Sequence, residues 1–241
     1  MRPLWETDHV KPSFDSATHV YHDGQRRVPS VTEILRTMGI YSSYGFAEPH
    51  HKYRGSAVHA GCAILDLGGS PQLGPVPAHL QQVADEIVNG YWPAFTRFKE
   101  RTRWQGRIWE CPIVDPLRGY GGTFDSVGEM GDDIVLLDVK SGVLPEMVPI
   151  QLALYDLLIR NGTPTDENHP GLAWLREAIA SGRPIKRMAL RLTKDGRDTL
   201  FCETAKREDY SSPRWIAVAN SILNVYAIRS QYGLLEKERT A

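Results

Sequence analysis

Two aspartates and a lysine on neighbouring predicted strands are of the types that could hold a cation and assist hydrolysis. Asp125 stands in the predicted strand 122–127, and Asp138 and Lys140 close the next predicted strand, which begins at residue 134. In an antiparallel meander the two carboxylates converge at one end of the sheet. Two such charges repel, which favours a divalent cation between them. Carboxylate oxygens suit Mg²⁺ or Mn²⁺.

Lys140 follows Asp138 by two positions, so its side chain points to the same face of the strand. There it could orient an attacking water or stabilise developing negative charge. An Asp-x-Lys triplet alone says little, because ordinary composition produces about one in a chain of this length. Taken by itself, the triplet favours a solvated strand end, so its meaning depends on the residues around it.

The elements that must position these residues are readable from periodicity and turn signals. Apolar residues at helical spacing predict a helix over 55–67, and a capping box at Ser30–Glu33 predicts an earlier helix that ends near Gly39. Alternation and turn residues predict a strand pair over 12–28, three strands of a meander, a helix to about Arg160 and a final strand pair. The predicted meander and final strands are 107–114, 122–127, 134–139, 186–192 and 199–203.

Four sequence blocks in a fixed order resemble those of RecB-like PD-(D/E)XK nucleases. This family includes the nuclease domain of RecB, phage recombination exonucleases, CRISPR adaptation nucleases and the mitochondrial genome maintenance exonuclease. The resemblance covers about residues 28–160 and extends loosely to the last strand pair and helix. The blocks are Arg54-Gly-Ser-Ala-Val-His59, Gly121-Gly-Thr-Phe-Asp125, Leu137-Asp-Val-Lys-Ser-Gly142 and Gln151-Leu-Ala-Leu-Tyr155.

The resemblance implies a role for each matched residue. It implies that His59 reaches a metal ion from its helix, that Asp125 and Asp138 are metal carboxylates, and that Lys140 is the catalytic lysine. It also implies that Val139 offers its backbone carbonyl to the metal. A lone helical histidine is more often structural, so the assignment of His59 depends on the block upstream of the two acids.

The resemblance also implies the fold. We expect an α/β protein with a restriction-endonuclease-like core of helix, three-stranded meander, helix and strand, with additional N-terminal and C-terminal helices. The chain is expected to form a single PD-(D/E)XK nuclease domain over 1–241. Its parts are an N-terminal embellishment (1–50), a catalytic core (51–205) and a C-terminal helix (209–230).

Several further residues have two possible roles. Glu110 is either an additional metal or water ligand or an outward-facing strand acid. Gln151 and Tyr155, four apart on one helix face, either support the site or contact DNA, or else cap and pack the core. Cations and aromatic residues before the histidine helix suit a DNA approach, although some of the aromatics are explained by packing. The residues in that group are Arg54, Lys52 and Tyr44.

Composition sets limits on the class of protein. The formal net charge of −1 does not by itself indicate a nucleic-acid binder. Cys62, Cys111 and Cys202 are too few and too scattered for the iron–sulfur cluster of some relatives, so no cluster is expected and all three are interpreted as reduced core residues. The acidic Glu129, Asp132 and Asp133 are interpreted as solvated turn residues.

No apolar run approaches the roughly 20 residues that cross a bilayer, so no contact with a membrane is expected. The expected location is the cytoplasm of a bacterial or phage-infected cell.

These observations predict a metal-dependent DNA nuclease with one or two Mg²⁺ or Mn²⁺ ions, an exonuclease of phage or bacterial recombination and repair. DNA, with free ends, is the expected partner, together with recombination or replication proteins. The alternatives are an endonuclease of defence or spacer acquisition and a catalytically silent module that binds DNA ends. The segments 41–54 and 161–184 are long enough to roof the cleft, which would favour free ends; the alternative is that they pack on the sheet edges.

Overall fold

The computed structural model describes residues 11–40 and 48–235. A small antiparallel sheet has the order β1-β2-β3, and the main sheet has the order β7-β4-β5-β6-β8-β9. The strands in these ranges are β1 (Ser13–Asp15), β2 (Val20–Asp23), β3 (Arg26–Val28), β4 (Trp104–Asp115), β5 (Tyr120–Met130), β6 (Asp133–Lys140), β7 (Thr163–Pro164), β8 (Ile185–Leu192) and β9 (Asp198–Phe201).

Helices cover both faces of the main sheet. They are α1 (Val31–Thr37), α2 (Pro49–Asp66), α3 (Gln81–Glu86), α4 (Trp92–Thr102), α5 (Val148–Asn161), α6 (Leu172–Ala180) and α7 (Pro213–Gln231). One core lies between the sheet and helices α1, α5, α6 and α7, and the second lies between the sheet and helices α2 to α4. A π-helical turn at Ile87–Tyr91 joins α3 to α4.

The meander and the crossover follow from the connections. Short turns join β4 to β5 and β5 to β6, and both pairs are antiparallel. β8 pairs with β6 in parallel, because α5 carries the chain back across one face before β8 begins. The order helix, three strands, helix, strand is therefore confirmed, and the protein is a mixed α/β fold. No helix in the described ranges is both long and apolar enough to span a bilayer.

The N-terminal part is built as its turn and capping signals predict, with one extra strand. Ser30 caps α1, its hydroxyl accepting from the backbone N–H of Glu33 at 3.0 Å. β2 and β3 pair around the Asp23–Gly24 turn, and β1 pairs antiparallel with the other edge of β2. The predicted strand pair is thus a three-stranded sheet.

The segment 161–184 packs on the sheet instead of arching away from it. β7 pairs with β4 at the sheet edge, and α6 buries Leu172 and Leu175 in the core that also contains α5. The apolar stripe of α6 needed a face to cover, and the free edge of β4 needed a partner. The interpretation of this segment as a roof is therefore wrong, and the alternative that it packs on the sheet is confirmed.

Two smaller interpretations are also corrected. Glu129 lies within β5, where its carboxylate pairs with Arg107 at 2.6 Å, so it is not a turn residue. Cys202 is exposed, whereas Cys62 and Cys111 are buried as predicted. Cys202 follows the last residue of β9, at the sheet edge, where side chains reach solvent.

Candidate active site

The site opens where β5 and β6 separate. Their last backbone pair is Ser126↔Leu137, although β6 continues beside β8 as far as Lys140. The N–H of Val139 has no β5 carbonyl to bind, and it donates to Asp125 Oδ2 at 2.7 Å. A side chain thus replaces the strand partner, which satisfies a backbone donor and fixes the carboxylate at the end of the sheet.

His59 is held by the same strand end. Its Nε2 lies 2.9 Å from the carbonyl oxygen of Val139, and since a carbonyl can only accept, Nε2 carries the proton. Nδ1 then faces two carboxylates, 3.6 Å from Glu110 Oε1 and 3.6 Å from Asp125 Oδ1. A backbone carbonyl that orients one ring nitrogen so that the other can bind a metal is a common arrangement for histidine ligands. Val139 therefore orients His59 through its carbonyl.

Glu110 reaches the group because β4 is irregular there. Its φ of 49° is in the left-handed region, which costs a non-glycine residue of order 1 kcal/mol. Ile108 and Cys111, three residues apart, both belong to the core that contains α5, although strict alternation would place them on opposite faces. The left-handed residue between them resets the alternation. It turns the carboxylate of Glu110 toward His59, and such strain concentrates at functional positions.

Asp138 and Lys140 form a pair beside this group. Lys140 Nζ donates to Asp138 Oδ1 at 2.9 Å, which confirms that the two side chains share a face of β6. Asp138 is buried, whereas about a quarter of the Lys140 side chain is exposed. The ammonium of Lys140 therefore lies between the buried carboxylate of Asp138 and the exposed edge of the site.

The charges of the group shift each other's titration. Burial raises the pKa of Asp125, the charge of Asp138 raises it further, and the result is about 6 even though His59 lowers it. Burial alone would lower the pKa of His59, but the carboxylates of Asp125 and Glu110 outweigh burial and raise it to about 9. Without a metal ion, a proton on His59 offsets part of the negative charge of its neighbours.

The donor set fits a divalent cation. Ligand atoms of His59, Glu110 and Asp125 all lie within 4.8 Å of one another. An imidazole lone pair with two carboxylates suits Mn²⁺, and the carboxylates alone suit Mg²⁺. The structure thus groups Glu110 with His59 and Asp125, while Asp138 lies next to them, bound to Lys140.

Gln151 and Tyr155 lie beneath the site, in the core. The Gln151 amide donates to the Tyr155 hydroxyl at 3.4 Å, and both residues are less than a tenth exposed. Burial raises the pKa of Tyr155, and the charges of Asp125 and Asp138 raise it further. Of the roles left open by the sequence, support of the site and packing of the core both agree with this burial, and contact with DNA does not.

The predicted DNA-binding residues differ in position. Lys52 is exposed near the start of α2, and Arg54 is half-buried one turn before His59. Tyr44 lies outside the described residues. Sequence reasoning gave no role to Asp66, which ends α2 and accepts from the indole N–H groups of Trp104 and Trp109 at 3.0 and 2.8 Å.

No protein-family model matches the chain. No curated protein matches it either. Among solved structures, the chain is similar to one named "Putative exonuclease" from Eubacterium rectale, with 14% sequence identity and a TM-score of 0.43. That match covers 86% of this chain and 82% of the other. A likeness at this level does not assign an activity to this chain.

Proposed function

We propose that the protein is a metal-dependent deoxyribonuclease that hydrolyses phosphodiester bonds, an exonuclease of DNA recombination or repair that requires free ends. The observation that carries the proposal is the convergence of His59, Glu110 and Asp125 beside the Asp138–Lys140 pair. An oriented imidazole and clustered carboxylates can hold the cation of metal-assisted hydrolysis, and a partly exposed lysine can stabilise the negative charge that develops on a phosphate. The exonuclease assignment is proposed from the sequence resemblance. The free-end requirement has no support from segment 161–184, because that segment packs on the sheet.

Each residue has a distinct proposed role. A bound divalent cation lowers the pKa of a coordinated water and offsets charge on a phosphate. His59, Glu110 and Asp125 would hold it, and Val139 keeps the histidine Nδ1 turned toward the carboxylates. Lys140 is placed to donate to a phosphate oxygen as negative charge grows there. In this proposal Asp138 orients that ammonium.

A cleavage assay tests the function. Purified protein should degrade end-labelled linear DNA with Mg²⁺ or Mn²⁺ and should leave a covalently closed circle of the same sequence intact. Cleavage of the circle at the linear rate would mean an endonuclease. Binding of DNA ends without any metal-dependent cleavage would mean a silent binding module.

Metal binding is expected to depend on the three grouped residues. Asp125→Ala should abolish Mn²⁺ binding measured by titration calorimetry, because it removes the buried carboxylate that also fixes Val139. Glu110→Gln and His59→Ala should each weaken Mn²⁺ binding about tenfold or more, within the range known for a lost ligand or orienting partner. His59→Ala should weaken Mg²⁺ binding less, since imidazole suits Mn²⁺ better.

The matched control is Asp132→Ala, which removes an exposed acid from the turn between β5 and β6. Its Mn²⁺ affinity should equal that of the wild-type protein. If Glu110→Gln also binds like wild type, Glu110 is an outward-facing strand acid and the grouping of ligand atoms has no function.

Metal binding should also release protons. The pKa of His59 is about 9 without metal, so at pH 7 the imidazole is protonated and must lose a proton before Nδ1 can bind an ion. Affinity should therefore rise with pH, about tenfold per unit up to pH 9. Below pH 6 the rise should be steeper, because Asp125 is then protonated as well. Calorimetry in two buffers of different ionisation enthalpy at pH 7 measures the release directly. Equal heats in both buffers would contradict the prediction.

A further inference from the structure

A cleft begins where the candidate site ends. After Lys140 the chain leaves β6 through Ser141 and Gly142, and both residues line a cleft of about 540 Å³. Its other wall is the end of β8 and the following turn, including Arg191, which lies beside Lys140 in the parallel register. None of the three grouped ligand residues lines the cleft. It is therefore a separate space, lined by the two residues that follow Lys140 in the chain.

The cleft carries an excess of positive charge. Four cations and two acids line it. Lys194 pairs with Glu86 at 3.3 Å, and Arg197 pairs with Asp195 at 2.6 Å, which uses both acids. Arg54 and Arg191 remain, and neither has an ion pair within the described residues. Two guanidinium groups in one concave space attract an anion.

Arg54 adds a second sign that a ligand binds here. Its Nε is buried and has no hydrogen-bond partner among the described residues. Its guanidinium lies along Gly142, with Nη2 3.5 Å from the position that a Cβ there would take. A buried donor left unpaired destabilises the protein, whereas a phosphate can satisfy the planar fork of arginine with two parallel bonds.

We propose that this cleft binds an internal backbone phosphate of the same nucleic-acid strand that is cut at the candidate site, through Arg54 and Arg191. This inference rests on the proposed nuclease function and extends it to the neighbouring nucleotides. Ser141 and Gly142 directly follow Lys140, and Arg191 is paired with it, so the cleft adjoins the candidate site, which favours a strand that contacts both over an isolated anion. The cleft then sets the register of the strand and contributes affinity independent of sequence.

The test is binding of a fluorescein-labelled single-stranded 20-mer, followed by anisotropy in EDTA so that cleavage does not interfere. Arg54→Gln and Arg191→Gln should each weaken binding about tenfold at low salt, as expected for a lost charged hydrogen bond. Each should also reduce the slope of log affinity against log salt by about 0.7, the contribution of one phosphate contact on a single strand. The control is Arg176→Gln, an exposed arginine of α6, which packs in the other core.

The outcomes separate this inference from the proposed function. Unchanged affinity and salt slope in the double variant Arg54→Gln/Arg191→Gln would overturn the inference, whether or not the wild-type protein cleaves DNA. Absence of cleavage by the wild-type protein would overturn the proposed function, while the anisotropy would still report on the cleft. The remaining outcome is a site for a single anion. The strand proposal is wrong if a dinucleotide binds as tightly as the 20-mer. It is also wrong if inorganic phosphate displaces the 20-mer at a concentration equal to the dissociation constant of phosphate itself.

Discussion

Replacing Lys140 with alanine is expected to lower the rate of metal-dependent DNA cleavage by about 10³-fold, the loss typical when a group that stabilises a developing oxyanion is removed. The expectation follows from position. The ammonium lies 2.9 Å from Asp138 Oδ1 at the end of β6, beside the group of ligand atoms and partly exposed to the substrate side. Single-turnover cleavage of end-labelled DNA with saturating Mn²⁺ measures the chemical step.

Stability must be separated from catalysis in this experiment. Lys140→Ala leaves the buried Asp138 without its cation, at a cost of about 2 kcal/mol, less than for a fully buried pair because about a quarter of the lysine side chain is exposed. The double variant Lys140→Ala/Asp138→Asn removes the orphaned charge as well. It should recover most of the lost free energy of unfolding and none of the cleavage rate.

The matched control is Lys186→Ala. Lys186 of β8 also forms an ion pair with an aspartate, Asp133 of β6, 2.6 Å away. This pair lies at the opposite end of β6 from Lys140. Its loss should leave the cleavage rate at the wild-type value. If Lys140→Ala cleaves as fast as Lys186→Ala, the lysine has no part in the reaction and the role taken from the sequence resemblance fails.

The parts of the site that were predictable from sequence depend on regular strands. Period-two alternation placed Asp138 and Lys140 on one face of β6, and the short turn before β6 brought Asp125 to the same end of the sheet. Both inferences need only that neighbouring strands be straight and paired in register. The helix, meander, helix and strand were predictable for the same reason, since each element has its own apolar periodicity.

The remaining parts depend on irregular backbone and on distant contacts. Glu110 could not be assigned, because its direction follows from a left-handed residue inside a strand, which breaks the alternation that sequence reasoning assumes. The contact between Val139 and His59 could not be predicted, because the two residues are 80 positions apart. Packing of 161–184 was left open, because loop composition does not show which sheet edge is unpaired.

Asp66 is the clearest residue that periodicity could not reveal, and its replacement by alanine is expected to destabilise the protein by about 3 kcal/mol. Its side chain is only 1% exposed, and it accepts from two indoles of β4 while pairing with Lys99 of α4 at 2.8 Å. Removal leaves two indole donors without an acceptor and the Lys99 ammonium with only the Leu65 carbonyl, 2.9 Å away, in a partly buried space. Urea unfolding with an unchanged slope measures the loss.

The same replacement is expected to lower cleavage under conditions in which the protein stays folded, because Asp66 joins the end of α2 to β4. α2 carries His59 and β4 carries Glu110, so the network sets the distance between two of the proposed ligands. Gly106 permits the approach: a Cβ there would lie 1.7 Å from Asp66 Oδ2. We expect Mn²⁺ affinity to fall in Asp66→Ala, while Asp66→Asn, which keeps one acceptor for the indoles, falls less.

A surface carboxylate provides the comparison for Asp66. Asp133 pairs with Lys186, both side chains being more than two-fifths exposed, and such pairs contribute about 0.5 kcal/mol or less. Asp133→Ala should therefore change neither the unfolding free energy nor Mn²⁺ affinity measurably. If Asp66→Ala loses stability but binds Mn²⁺ with wild-type affinity, the network holds only the fold. His59 would then be positioned by α2 and its contact with Val139, and Glu110 by its own left-handed backbone conformation in β4.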